Sequence, residues 1–209
     1  MKNKGLLNIA IFCSGKGTNL QAIIDKVRGG YIKANLRLVI SDRRDAYALV
    51  RAKKAKINNF FIDPKKFSSR IEFNREILKY LKRYNIDLIV LAGFMRVLGT
   101  ELVRRYKNKI LNIHPALLPS FRGTEGIKDA LEYGVRLTGP TVHFVDEGVD
   151  TGPIILQDVV RIKDGDTEET LARRIHEREH IIYPKAIKLF VEGKLKVEGR
   201  KVKIRDKNK

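Results

Sequence analysis

Apolar residues along this chain come in short runs separated by turn residues and by stretches where apolar positions recur every three or four. Leu6 to Phe12, Leu36 to Ile40, Asn59 to Ile62, Leu88 to Leu91 and Ile110 to Ile113 are compact apolar or β-branched runs, as strands buried on both faces require. Helices are predicted between them. The first starts at Leu20 and ends by Gly29-Gly30, and the second covers Ala46 to Ala55. A third opens with the capping-box spacing of Ser69 and Glu72 and reaches Tyr84, and a short fourth covers Thr100 to Tyr106. This alternation predicts an α/β fold with a doubly wound, mostly parallel sheet.

After Pro119 the pattern loosens. A helix is expected over Thr124 to Tyr133, ended by Gly134, and strands over Thr141 to Val145 and Ile154 to Val160. Asp166 or Thr167 caps a long final helix, in which Pro184 should force a break or kink near Tyr183. Leu195 to Val197 and Val202 to Ile204 form a small basic hairpin around Gly199, an antiparallel extension at the C-terminal end. No repeat or low-complexity linker interrupts the 209 residues, so a single domain is expected over 1–209.

Composition narrows the class. An apolar fraction of 43% supports a substantial core. One cysteine, Cys13, leaves no intramolecular disulfide framework and fits a reducing cytoplasm. No apolar run has the length of a membrane span, and the short apolar segment after Met1-Lys2-Asn3-Lys4 is too brief for a secretory signal. The net charge of +19 raises nucleic acid as a partner. The basic residues are spread out, however, with runs only at Lys53-Lys54, Lys65-Lys66 and the tail Lys201 to Lys209, and no RNA-binding aromatic motif interleaves them. A solvated basic surface that attracts small anions is the reading taken, with no nucleic-acid or membrane partner. A basic nucleic-acid-binding module is the alternative from another class.

The candidate chemistry centres on Leu111-Asn112-Ile113-His114-Pro115. Side chains alternate along a strand, so Asn112 and His114 share a face, and Pro115 turns the chain out of the sheet. An amide that donates to an oxyanion beside an imidazole that titrates near neutrality suits acyl transfer to an amine. The plain alternative is a turn cap and a satisfied core histidine. Asp146-Glu147-Gly148-Val149-Asp150-Thr151-Gly152-Pro153 is an acid-rich loop between two predicted strands. Its Asp150 is expected against His114, favouring imidazolium; a solvated acidic hairpin is the alternative. Ser14-Gly15-Lys16-Gly17-Thr18-Asn19 joins a strand to a helix start, an anion site of neither Walker A nor dinucleotide type, or else a merely tight turn. His176-Glu177-Arg178-Glu179-His180 has the zinc-peptidase H-E-x-x-H spacing. With no third ligand and Arg178 alongside, it is read as a helix face with no metal.

These segments together resemble phosphoribosylglycinamide formyltransferases over nearly the whole chain. Ser14 to Ile23 is similar to the family's phosphate loop and first helix, and Ala92-Gly93-Phe94-Met95-Arg96 to its folate-side segment. Leu111 to Pro115 and Leu117 to Pro119 are similar to its catalytic signature, and Asp150 with Gly152 to Gln157 to its folate loop. Glu179-His180 followed by Tyr183-Pro184 is similar to its late helix.

The resemblance implies that Gly17, Thr18 and Asn19 hold the ribonucleotide phosphate, with Glu179 at the glycinamide end and His176, Glu177 and Arg178 nearby. It implies folate contacts from Arg70, Met95, Arg96, Val97, Leu98, Asn112, Asp146, Glu147, Gly148, Val149 and Asp150. Asn112, His114 and Asp150 would be the catalytic set: His114 as general acid/base, Asn112 stabilising the oxyanion, Asp150 keeping His114 protonated. The co-substrate implied is 10-formyltetrahydrofolate, with no metal, and the chain is expected as a monomer or homodimer. On this reading the ribonucleotide half ends near residue 108 and the catalytic and folate half begins near 109. Phe121-Arg122-Gly123-Thr124-Glu125-Gly126-Ile127 departs from the family pattern and is more like the Arg-Gly segment of methionyl-tRNA formyltransferases. Enzymes of the same fold that formylate methionyl-tRNA or an amino sugar nucleotide are therefore the rival reading.

Overall fold

Four parallel strands set the frame of the first of two compact units, which divide between Ile110 and Leu111. The computed structural model describes residues 5–205; Met1 to Lys4 and the end of the basic tail, 206–209, lie outside the described residues.

In the first unit β1 (Leu7–Phe12), α1 (Thr18–Arg28), β2 (Ala34–Ser41), α2 (Tyr47–Lys54), β3 (Asn58–Phe61), α3 (Arg70–Arg83), β4 (Leu88–Leu91) and α4 (Thr100–Arg105) follow in turn. The strands lie in the order β4-β1-β2-β3. Ile9 to Phe12, Leu38 to Ile40 and Leu88 to Val90 have no exposed surface, which is why they read as unbroken apolar runs. Each buried Ile, Leu, Val or Phe among them stabilises the unit by about 1.5–3 kcal/mol. The chain winds outward from β1 to β3 and then returns to the other side of β1. The carboxyl ends of β1 and β4 therefore flank a switch point, where open sheets hold ligands. Ser69 caps α3 by accepting from the Glu72 N–H at 3.2 Å, but Glu72 turns its carboxylate to Ser68 rather than closing the predicted box.

The second unit takes up β5 (Ile110–His114), α5 (Gly126–Tyr133), β6 (Leu137–Thr138), β7 (Thr141–Phe144), β8 (Ile154–Gln157), β9 (Val160–Arg161), α6 (Glu168–Val191), β10 (Leu195–Glu198) and β11 (Lys201–Ile204). β7 pairs antiparallel with β5 and β8, β11 touches β8, and β10-β11 is the expected antiparallel hairpin. The first unit is thus parallel throughout, whereas the second pairs β5, β7 and β8 antiparallel and ends in an antiparallel extension.

Two expectations need correction. Ile154 to Val160 is not one strand: β8 stops at Gln157, and β9 pairs with β6 in a separate two-stranded sheet. The chain must bend at Asp158, because the Asp158 carbonyl passes so close to Gly139 that any Cβ there would collide with it. Pro184 causes no break. α6 continues from Glu168 to Val191 with Pro184 inside it. The proline removes one backbone donor, but Ile182, Tyr183, Ala186 and Ile187 are buried on either side and hold the helix in place.

Candidate active site

The Ser14 to Asn19 segment joins the end of β1 to the start of α1, as expected. Gly17 sits at φ 69° as the N-cap of α1, and no side chain caps the helix. A Cβ on Gly17 would stand 2.8 Å from the Ala48 Cβ, so only glycine allows this close approach. A helix start without a side-chain cap, with the positive end of the helix dipole behind it, is chemistry that suits an anion. Arg51 braces the turn by donating from Nε to the Lys16 carbonyl at 2.9 Å.

A cavity of about 400 Å³ lies in the same unit, lined by Pro64, Phe67, Ser68, Ser69, Arg70, Phe73, Met95, Arg96 and Val97. It gathers four of the residues expected at the folate. Leu98 is different: it is buried at 7% exposure and does not line the cavity. Met95 and Val97 are 63% and 51% exposed, an apolar rim beside the Arg70 and Arg96 cations.

In the second unit the register of β5 against β7 sets Asn112 opposite His143 and His114 opposite Thr141. Asp150 reaches this pair from the loop after β7, at φ 52°, a left-handed backbone that a non-glycine residue adopts only under constraint. One reason is Gly152, where a Cβ would overlap the Phe144 carbonyl and which pins the loop to β7. Asp146 closes the loop by accepting from the Thr151 hydroxyl at 2.5 Å and the Gly148 N–H at 3.1 Å.

The Asp150 carboxylate is the hub. Oδ1 accepts from Asn112 Nδ2 at 3.3 Å and lies 3.4 Å from His143 Nε2. Oδ2 accepts from the Gly123 N–H at 3.0 Å and lies 3.4 Å from His114 Nδ1. Burial alone would raise its pKa, but His143, the Gly123 amide and His114 together hold it below the usual carboxylate range. Asp150 therefore stays charged. Asn112 Nδ2 also meets His143 Nε2 at 3.2 Å, so it reaches an oxyanion only by giving up one of these contacts.

His114 is buried at 3% exposure, and its Nε2 meets the Phe121 carbonyl at 2.7 Å. A carbonyl only accepts, so the neutral ring carries its proton on Nε2 and leaves Nδ1 facing Asp150. Burial lowers the ring's pKa more than Asp150, the Phe121 carbonyl and Glu179 raise it. Asp150 thus pulls in the expected direction, towards imidazolium, while desolvation pulls the other way and is the larger influence.

Two contributors escaped the sequence reading. His143 is 2% exposed and bridges Asn112 and Asp150; its one advance signal was alternation within the predicted strand Thr141 to Val145. The second is the segment Phe121 to Gly126, which departs from the family pattern yet supplies the Phe121 carbonyl and the Gly123 N–H. A Cβ at Gly126 would stand 3.1 Å from His114 Nε2 and 2.9 Å from the Phe121 oxygen.

Of the four residues expected at the glycinamide end, α6 brings two together. Glu179 is buried and its Oε2 meets His176 Nδ1 at 2.9 Å, whereas Glu177 and Arg178 are exposed. Tyr183 fixes this face by donating to the Leu111 carbonyl at 3.0 Å. Glu147, Gly148 and Val149 are exposed along the loop, while Asp146 is engaged within it. Among the described residues, no helix is long and apolar enough to cross a membrane.

A parallel sheet with a glycine turn in the first unit and an Asn-His-Asp cluster in the second are the features of a group-transfer enzyme. The family model described as formyl transferase matches residues 7–187. The phosphoribosylglycinamide formyltransferase of Haemophilus influenzae is 46% identical over 190 residues, covering 91% of this chain and 90% of that protein. The crystal structure of glycinamide ribonucleotide transformylase 1 from Symbiobacterium toebii superposes with a TM-score of 0.95 at 50% identity, covering 96% of this chain and 95% of that one. The chain belongs to the formyl transferase family and, within it, to the phosphoribosylglycinamide formyltransferases. It also matches much longer relatives. It spans 19% of the trifunctional purine biosynthetic protein adenosine-3 of Gallus gallus, to which it is 44% identical over 191 residues.

Proposed function

We propose that this chain transfers the formyl group of 10-formyltetrahydrofolate to the amine of glycinamide ribonucleotide, a step of purine synthesis, in the cytoplasm. The observation that carries the reading is the half-buried Asp150 carboxylate gathering Asn112, His114 and His143 within hydrogen-bonding or ion-pair range. The N–H groups of Gly17, Thr18 and Asn19 receive the ribonucleotide phosphate, and Glu179 with His176 receives the glycinamide end. In the first unit the cavity beside Arg70 and Met95 to Val97 receives the folate.

Transfer is direct. The substrate amine attacks the formyl carbon, forming the new C–N bond as the carbonyl electrons move to oxygen. Asn112 releases its 3.3 Å contact with Asp150 and donates to that oxyanion. His114 enters neutral, takes the proton lost by the amine, and returns it to the folate nitrogen as the old C–N bond breaks. Asp150 stabilises the imidazolium that exists between those two events, which suits a carboxylate held ionised by its neighbours. Cys13 stays out of the chemistry: it is fully buried, and burial pushes its thiol up to about 12.

A spectrophotometric assay with 10-formyltetrahydrofolate and a set of amine acceptors tests the proposal. Turnover with glycinamide ribonucleotide is expected. Formylation of methionyl-tRNA or an amino sugar nucleotide in its place would move the substrate to the rival reading.

A further inference from the structure

The anion turn and the Arg96 cavity of the first unit share a buried connection. The order β4-β1-β2 brings three chain segments side by side at the strands' carboxyl ends: Ser14 after β1, Asp42 after β2 and Gly93 to Arg96 after β4. Ser14, which opens the anion turn, donates from its N–H to the Gly93 carbonyl at 2.9 Å. Its hydroxyl donates to Asp42 Oδ1 at 2.5 Å and accepts from the Met95 N–H at 2.9 Å. The other carboxylate oxygen, Asp42 Oδ2, accepts from Arg96 Nε at 2.9 Å. The Arg96 guanidinium also lies over the Phe73 ring, 5.9 Å from its centroid.

Ser14 and Asp42 are only 4% and 8% exposed, so neither is placed to receive a ligand itself. A carboxylate this buried is held by its partners, and losing one leaves a charge poorly compensated. Moving the Ser14 turn therefore moves the anchor of Arg96, and moving Arg96 disturbs Ser14. A shared rigid hydrogen-bond network of this kind can carry a binding free energy from one site to the other.

We propose that Asp42, acting with Ser14, is a positioning residue that couples phosphate binding at the Ser14–Asn19 turn to folate binding in the cavity lined by Arg70 and Arg96. This coupling rests on the function proposed above. It is reciprocal: bound folate tightens the ribonucleotide site by the same factor as bound ribonucleotide tightens the folate site.

The test is calorimetric titration of the whole chain with glycinamide ribonucleotide, without and with saturating tetrahydrofolate, which carries no formyl group to transfer. In the unaltered chain tetrahydrofolate should tighten ribonucleotide binding about fivefold or more. Asp42→Asn keeps the side-chain volume and an acceptor for Ser14 but removes the charge facing Arg96, and should cut the factor below about twofold. Ser14→Ala, which leaves that ion pair intact, should do the same and serves if Asp42→Asn fails to fold. Arg136→Ala, which removes the exposed Arg136–Asp164 pair, should keep the full factor. A merely structural role would lower the melting temperature and leave the factor alone. An unchanged factor in a folded variant, or no coupling in the unaltered chain, overturns the proposal. Failure to bind either ligand overturns the functional reading, and the coupling with it.

Discussion

Asp150 Oδ2 stands 3.4 Å from His114 Nδ1, on a residue whose backbone is held in the left-handed region at φ 52°. The carboxylate is thus positioned by its loop, while the imidazole is positioned by β5 and the Phe121 carbonyl. The pair sets the pH behaviour. Burial pushes His114 below its ordinary value, so the neutral base predominates at pH 7. Protonation removes the base, so kcat/KM should fall on the acid side, with its midpoint below the ordinary histidine value of about 6.5. Asp150→Asn removes an influence that raises His114, so the midpoint should move further down while kcat drops by about 100-fold or more. A pH–rate profile of both proteins checks this. An upward shift in Asp150→Asn contradicts it.

Gly126→Ala probes the segment that departs from the family pattern. The added methyl meets the Phe121 oxygen at 2.9 Å and His114 Nε2 at 3.1 Å, and must part them. A misplaced base costs kcat, by roughly 10–100-fold, with little change in KM for the ribonucleotide. Steady-state kinetics beside a melting curve separate this from unfolding.

At the anion turn, Thr18→Asp sets a negative charge at the start of α1, where the phosphate is proposed to bind. The helix dipole tolerates the acid, so the fold should persist. KM for glycinamide ribonucleotide should rise about tenfold or more, the order expected when charge repulsion replaces a charge-assisted contact, with the folate KM rising by no more than the coupling factor of about fivefold. Equal effects on both substrates would assign the turn a different role.

His143→Ala tests a residue whose importance lies in register. It removes one partner from both Asn112 and Asp150. Buried groups left unpaired cost about 1–3 kcal/mol each, so stability and kcat should fall together, whereas His114→Ala, which also unpairs the Phe121 carbonyl, should lower kcat by far more than a comparable loss of stability explains. Thermal melts and kinetics on both variants decide.

What was legible in the sequence followed from local chemistry. The apolar runs of β1, β2 and β4 are buried on both faces, and Gly17, Ser69 and Gly134 sit where turn and cap chemistry put them. Asn112 and His114 were legible because alternation and Pro115 are local facts. His143 was not, because its role depends on which residue of β7 faces Asn112 across an antiparallel pair. The bend at Asp158 depends on a close approach to Gly139, distant in sequence. Continuity through Pro184 comes from tertiary burial overriding a local helix breaker. The lowered His114 likewise reflects the weight of desolvation, which only packing reveals.

The most direct test of the central claim is formyl transfer from 10-formyltetrahydrofolate to glycinamide ribonucleotide, measured for the unaltered chain and for His114→Ala. The account predicts turnover in the first and a kcat lower by about 10²–10⁴-fold in the second, with both substrates still bound. Full turnover in His114→Ala would contradict the assignment of His114 as the group that moves the proton.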